Sequence, residues 1–304
     1  MINNIKSLTI FKKIFNNNNE NKILKIIKYN KKIQKKLNYN IDDYKQITLI
    51  KIIFSKNNNN NDIYCEGSCE SPFKRDEENI KIYYNNKKWN QLGIREQIRT
   101  AKIILNKKVI NLKCLFKNQK NIIEIIFEKF NKNIFDMSYM FYKCEKLKYV
   151  KFNNFRTPNI KYMNSMFENC ESLEEIDWGN LNTQNVLDMD YMFANCSKIK
   201  KINLNNFNTD NLQYMNFMFC GCSSLKELNL DNFNTKKVCS MNYTFCRCSS
   251  LEKLNLLNFD TKNVRNMDGI FKDCSSLKEL KYKFETPKVK HVCEMFYGCL
   301  SLNK

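Results

Sequence analysis

A 26-residue period governs the carboxy-terminal half of this chain. Phe141, Phe167, Phe193, Phe219, Phe245 and Phe271 recur at steps of 26, and Phe296 follows at 25. Cys144, Cys170, Cys196, Cys222, Cys248, Cys274 and Cys299 keep the same step. So do Leu147, Leu173, Ile199, Leu225, Leu251, Leu277 and Leu302. Thr157, Thr183, Thr209, Thr235, Thr261 and Thr286 add a fourth column. A fixed period of about 20–50 residues marks a solenoid or another array, whose units bury their apolar faces only by stacking. Six full repeats in register are not chance.

The unit itself has two parts. In the repeat from Met241 to Asn266, the residues Met241, Phe245, Cys248 and Leu251 fall at i, i+4, i+7 and i+10. That spacing predicts one face of a short helix. The second position carries Ser138, Asn164, Asp190, Asn216, Asn242 and Asp268. All are N-cap types, so the helix is expected to start there. Leu254 and Leu256 then alternate with period 2, as a strand does. Asn258-Phe259-Asp260-Thr261 reads as a turn with Phe259 inward. The expected fold is an α/β solenoid, a leucine-rich-repeat-like array of strand–helix coils. Its structural core is Phe141, Phe167, Phe193, Phe219, Phe245 and Phe271 with Cys144, Cys170, Cys196, Cys222, Cys248 and Cys274. The cysteines are read as small apolar core residues.

Stacked coils turn sequence positions into columns about 4.8 Å apart. Glu175, Lys201, Glu227, Lys253 and Glu279 form one column of alternating charge. Asp177, Asn203, Asn229, Asn255 and Lys281 form the column two residues along. Together they are the candidate interaction face. Because its charges neutralise one another, this face argues against a nucleic-acid groove and is expected either to be a solvated, self-paired surface or to bind a peptide.

A degenerate coil precedes the regular ones. Leu112, Phe116, Ile122, Ile125, Phe127 and Phe130 match the next coil at an offset of 25, with Gln119 in the Cys column. An amino-terminal cap is expected at about 80–133, because terminal repeats depart from consensus where one face meets water. Residues 1–62 read as a helical, partly disordered basic extension with Asn-rich linkers, 63–133 as cap and first coil, and 134–304 as the repeats. Residues 1–133 hold 28 basic and 12 acidic residues, net +16, against 23 and 19, net +4, in 134–304. The basic character therefore belongs to the amino-terminal part. Within it, 21–38 predicts an amphipathic helix with Ile23, Ile26, Ile27, Ile33 and Leu37 on one stripe. A membrane surface or nucleic acid could be met through residues 1–60. That reading ranks behind a helix packed on its own domain, since the 45 Lys and 49 Asn are what an AT-rich coding sequence produces.

The units MSYMFYKCEKLKYVKFNNFRTPNI and MNFMFCGCSSLKELNLDNFNTKKV resemble the 26-residue surface-protein repeat. That repeat is also known as the BspA-like leucine-rich repeat or the lipoprotein-associated repeat of unknown function. The likeness covers 134–304 closely and 109–133 loosely. It implies a leucine-rich-repeat-like solenoid, and in bacteria a surface adhesin that binds host or matrix proteins. It supplies no catalytic residues.

No catalytic, cofactor or metal site is expected. The single histidine, His291, leaves no His cluster, and the six glycines form no GxGxxG or Walker loop. Cys220 and Cys222 with Cys246 and Cys248 offer four thiols from adjacent coils, but the members of each pair point apart, so no zinc site is expected there. Cys65 and Cys69 read as a surface thiol pair. No signal peptide or membrane span is legible, so a cytoplasmic location is expected, with the cell surface as the alternative. The expected function is a non-enzymatic, monomeric protein-interaction scaffold for a protein partner the sequence does not name.

Overall fold

The computed structural model describes residues 48–55, 80–84, 87–88, 99–106, 108–153 and 158–302. Among them the secondary structure is all strand: β1 (Thr48–Phe54), β2 (Ile80–Tyr84), β3 (Lys87–Lys88), β4 (Thr100–Leu105), β5 (Ile122–Lys129), β6 (Tyr149–Phe152), β7 (Glu175–Asp177), β8 (Lys201–Ile202), β9 (Glu227–Leu228), β10 (Lys253–Leu256) and β11 (Glu279–Tyr282). From β5 onward the chain winds as a β-solenoid. In-register parallel bridges pass from Asn111 to Asp136, Tyr162, Asp188, Tyr214, Ser240, Asn266 and His291, one per coil. The strands themselves pair in parallel, β5 with β6, β6 with β7, β8 with β9 and β10 with β11.

The solenoid is as expected, but the strand–helix coil is not, and the α/β class is corrected to all-β. The segment with helical spacing is a string of tight turns. In the coil of Phe141, Met140 N–H donates to Met137 C=O at 3.3 Å, Cys144 to Phe141 at 3.0 Å and Leu147 to Cys144 at 3.0 Å. The intervening amides leave the coil: Tyr139 donates to Asn164 C=O, Phe141 to Met166 and Lys143 to Glu168, at 2.9–3.0 Å. A helix would send all of them to its own i−4 carbonyls. Two left-handed residues per coil forbid that course, Tyr139 and Lys143 here at φ 56° and 58°. The second of these places is held elsewhere by Asn118, Asn169, Asn195, Gly221, Asp273 and Gly298, types that tolerate this region, and by Arg247 at φ 57°. Turns of three residues drop an apolar side chain into the core every three or four positions. Their periodicity thus imitates a helix.

The residues read as N-caps act between coils. Asp190 Oδ1 accepts from the Asn216 amide N–H at 2.6 Å, and Asn216 Oδ1 from Asn242 N–H at 2.9 Å. Ser138 donates to Asn164 Oδ1 at 2.6 Å. Ser138, Asp190 and Asn216 thus support the next rung rather than starting a helix, as Asp268 does by accepting from Cys293 N–H at 2.7 Å, whereas Asn242 donates to Ser240 two residues back at 3.3 Å.

The core runs along the solenoid axis as columns. Phe116, Phe141, Phe167, Phe193, Phe219, Phe245, Phe271 and Phe296 stack with ring centroids 5.0–5.8 Å apart and planes within 19°. Beside them each column cysteine donates its thiol hydrogen to the Phe carbonyl of the preceding coil, from Cys144 to Phe116 through Cys299 to Phe271, at 3.0–3.2 Å. The thiol hydrogen bond explains why a cysteine, and not an alanine, stands there. Burial pushes these thiols up, to about 12 for Cys222 and Cys274. The Thr column clamps neighbouring coils. Thr209 donates to Asn234 C=O at 3.2 Å while accepting from Asn234 N–H at 2.7 Å, and Thr183 treats Asn208 the same way.

The first coil is covered by an antiparallel layer. β1 pairs with β5 on one side and β4 on the other, and β2 adds beyond β4. Ile50, Ile52, Ala101, Ile103 and Leu105 line its buried face. Thr48 Oγ1 accepts from Asn131 N–H at 3.0 Å, and both residues are fully buried. A cap is thus present, and it reaches further back than 80. β1 lies inside the span read as a basic extension. The helix expected at 21–38, the Asn tracts, Thr157 and the Cys65–Cys69 pair lie outside the described residues.

Candidate interaction face

Alternation along each strand decides what faces outward. In β10, Leu254 and Leu256 enter the core while Lys253 and Asn255 are exposed, and β6 and β7 repeat the pattern. The backbone bridges align Lys201 with Glu227 and Lys253 with Glu279. Their side chains pair in the same way, Lys201 Nζ to Glu227 at 3.0 Å and Lys253 Nζ to Glu279 at 3.1 Å. Lys281 reaches Glu279 at 3.1 Å as well. Lys253 and then Lys281 hold the Glu279 carboxyl below its ordinary range. The expected alternating chain is therefore resolved into pairs, and β7 and β8, like β9 and β10, fall in separate sheets.

The second column has a different occupation. Asn203, Asn229 and Asn255 each accept, through Oδ1, the N–H two residues on, at 3.2, 2.9 and 3.3 Å. Asp177 does the same for Gly179 at 3.0 Å and also pairs with Lys151 at 2.9 Å. These Asx turns end the strands and swing the chain towards the next corner. Lys151 and the Gly179 N–H hold the Asp177 carboxyl low.

The structure brings these residues together. A groove of about 920 Å³ runs over the outer side of β8 to β11, lined by Lys201, Asn203, Glu227, Asn229, Lys253, Asn255, Glu279 and Lys281. Glu175 and Asp177 line an adjoining one of about 570 Å³, which shares Lys201 and Asn203. Sequence reasoning missed its rim. Lys226, Asp231 and Glu252 also line the groove, and the column one residue before the charge column pairs across coils, Lys148 with Glu174 at 3.1 Å and Lys278 with Glu252 at 3.0 Å. The 26-residue alignment contained that signal, since Lys148, Glu174, Lys226, Glu252 and Lys278 stand in step. Tyr149 donates to Glu174 at 2.8 Å, and this bond, with Lys148, depresses the carboxyl.

The core candidates fall where the column argument puts them: Phe141, Phe167, Phe193, Phe219, Phe245 and Phe271, with their six column cysteines, are fully buried. Cys114 is disulfide-bonded. Among the described residues no group of three or more His, Cys, Asp and Glu is placed to hold a metal ion, and no helix is long and apolar enough to cross a membrane. His291 sits on the bridge column beside Asn266.

No curated protein and no solved structure matches the chain. A family profile described as Mycoplasma protein of unknown function, DUF285, matches residues 81–204, 110–228 and 187–304. The overlapping matches fit a repeat that is in step with itself, and each spans several coils of the solenoid just described. As they cover more than half of its length, the chain belongs to the DUF285 family.

Proposed function

We propose that this chain is a non-enzymatic protein-interaction scaffold that engages a protein partner through the outer face of β8 to β11. The groove carries the reading. It holds exposed charges of both signs at a fixed spacing, on a backbone fastened by ladders on either side. A partner strand or loop with complementary alternating charge is the ligand such a surface suits. The ion pairs within the face are exposed and each contributes about 0–1 kcal/mol, so a partner can exchange them without disturbing the fold. The test is site-specific photo-crosslinking in living cells. Probes at Asn229 and Lys253 are expected to capture the same protein, and the charge reversals Lys253→Glu and Glu227→Lys to abolish that capture without lowering the melting temperature. Capture that survives both reversals would contradict the reading.

A second reading has an observation of its own. The 26-residue motif, in step from Phe141 to Phe296, supports a surface adhesin of the BspA-like kind in place of a cytoplasmic scaffold. Membrane-impermeant labelling of intact cells separates the two, since only the adhesin is labelled. The reading of residues 1–60 as a membrane or nucleic-acid anchor is tested by salt titration against anionic vesicles and RNA, where phosphate-driven binding collapses with salt.

A further inference from the structure

The two left-handed corners of each coil set up a pair of outer columns. One is Tyr139, Ser165, Tyr191, Phe217, Tyr243 and Gly269; the other is Tyr142, Glu168, Ala194, Cys220, Cys246 and Lys272. They fill space jointly. Tyr191, Phe217 and Tyr243 stack at 4.6 and 4.9 Å, and Ala194, Cys220 and Cys246 beside them are small. Where the first column is small, as at Ser165 and Gly269, the second is long, as at Glu168 and Lys272. A Cβ on Gly269 would strike the Tyr243 ring.

This arrangement leaves Cys220 and Cys246 at equivalent places in successive coils. Gly221 N–H donates to the Cys246 carbonyl at 2.7 Å, so the backbones are bonded at this rung. In-register strands hold paired Cα atoms about 4.8 Å apart, within the span of about 4.4–6.8 Å that a disulfide bridges. Both are free thiols, Cys220 half-buried and Cys246 5% exposed. The two thiols shift each other's titration, and Arg247 and Lys272 act on Cys246. Cys220 first, and Arg247 and Lys272 after it, hold the Cys246 thiol below its ordinary range against the effect of burial, while Cys246 pushes Cys220 up. The core column offers nothing similar: its thiols are engaged with carbonyls, and all but half-buried Cys299 are buried.

We propose that Cys220 and Cys246 form a redox-active dithiol that a hydroperoxide converts to an inter-coil disulfide. The Cys246 thiolate attacks the terminal peroxide oxygen, the O–O bond breaks, and Cys246 becomes a sulfenic acid while the leaving alkoxide or hydroxide takes a proton. The Cys220 sulfur then displaces the sulfenic oxygen, which departs as water with the Cys220 proton. Two thiols are oxidised and one hydroperoxide is reduced to an alcohol or to water. The low-pKa member of the pair reacts first and its neighbour resolves.

The experiment treats the full, unsubstituted chain with stoichiometric hydrogen peroxide, quenches with an alkylating agent and maps the peptides. A bond between peptides 202–226 and 238–247, placed at Cys220 and Cys246 by fragmentation, with loss of two hydrogens, is the expected result. In Cys220→Ser, dimedone is expected to trap a sulfenic acid at Cys246; in Cys246→Ser, no adduct is expected at Cys220. Oxidation of exposed Cys293 with both Cys220 and Cys246 still alkylated would overturn the proposal. So would a Cys220 adduct in Cys246→Ser that matches the one on Cys246 in Cys220→Ser.

Discussion

Phe219 shows how a single side chain is used in this fold. Its ring is fully buried and stacks on Phe193 and Phe245, both at 5.7 Å. Phe219→Ala removes one member of a continuous stack and is expected to cost about 3–5 kcal/mol. Lys226→Ala on the groove rim is expected to cost under about 0.5 kcal/mol. Urea unfolding of the two variants checks the contrast, and equal midpoints would contradict the assigned faces. Asp188 is the opposite case, a side chain that costs stability. Burial pushes its carboxyl up to about 6, and Asp190 and Asp136 add to the shift, against an N–H donated by Asp190. The folded state therefore resists the charged form. The cost is full above pH 6, fades as the pH falls through that value, and is absent below the unfolded pKa near 4. Asp188→Asn is expected to stabilise the chain at pH 7.5 by about 1–2 kcal/mol, discounted for its exposed part, and to leave it nearly unchanged at pH 3. Asn266 already fills the equivalent place and accepts the N–H of Asp268 at 3.0 Å. Thermal melts at both pH values decide it; a destabilised variant at pH 7.5 would show that the carboxylate is a net stabiliser.

The coil is the element at which sequence and structure part company. Its strand half was legible: the alternation of Leu254 and Leu256, the inward turn at Phe259 and the charged outer column all follow from period 2. Its other half was misread because Met241, Phe245, Cys248 and Leu251 keep helical spacing. Only backbone dihedrals distinguish a helix from a chain of turns with left-handed corners, and most of the corner residues, such as Tyr191 and Phe217, give no sign of it. The N-cap types were right in chemistry and wrong in partner, since the amide that Asp190 serves belongs to the next coil. The candidate face was legible as columns but not as a groove, because depth depends on the turns at either side. The Thr column was visible without its reason, an inter-coil clamp. Thr209→Val keeps the shape, removes the bond to Asn234 C=O and leaves the Asn234 N–H unpaired. A loss of about 1–3 kcal/mol is expected, with faster amide exchange at Asn234 and in the adjoining turn than in the coils two away. Unchanged exchange there would mean that water takes over the clamp.

For the whole molecule, each regular coil contacts its neighbours through equivalent columns, and β1, β2 and β4 cover the first coil. Stability of such an array is close to a sum of coil and interface terms. Excising 217–242 joins equivalent points of neighbouring coils and keeps every column in register. That shortened chain is expected to fold, with a smaller denaturant slope because less surface is exposed on unfolding. Excising half a period, 217–229, throws the Phe and Cys columns onto the wrong face and is expected to abolish folding. Two equally stable products would contradict a register-bound array. The central claim is that every coil is a β-solenoid turn whose amides alternate between their own turn and the next coil. It is tested most directly by amide nuclear Overhauser effects in the isotopically labelled full chain. Contacts from residues 139, 141 and 143 to residues 25 and 26 further along, repeated down the array, are the predicted result; sequential i to i+4 contacts across 137–147 would restore the helix and contradict the account.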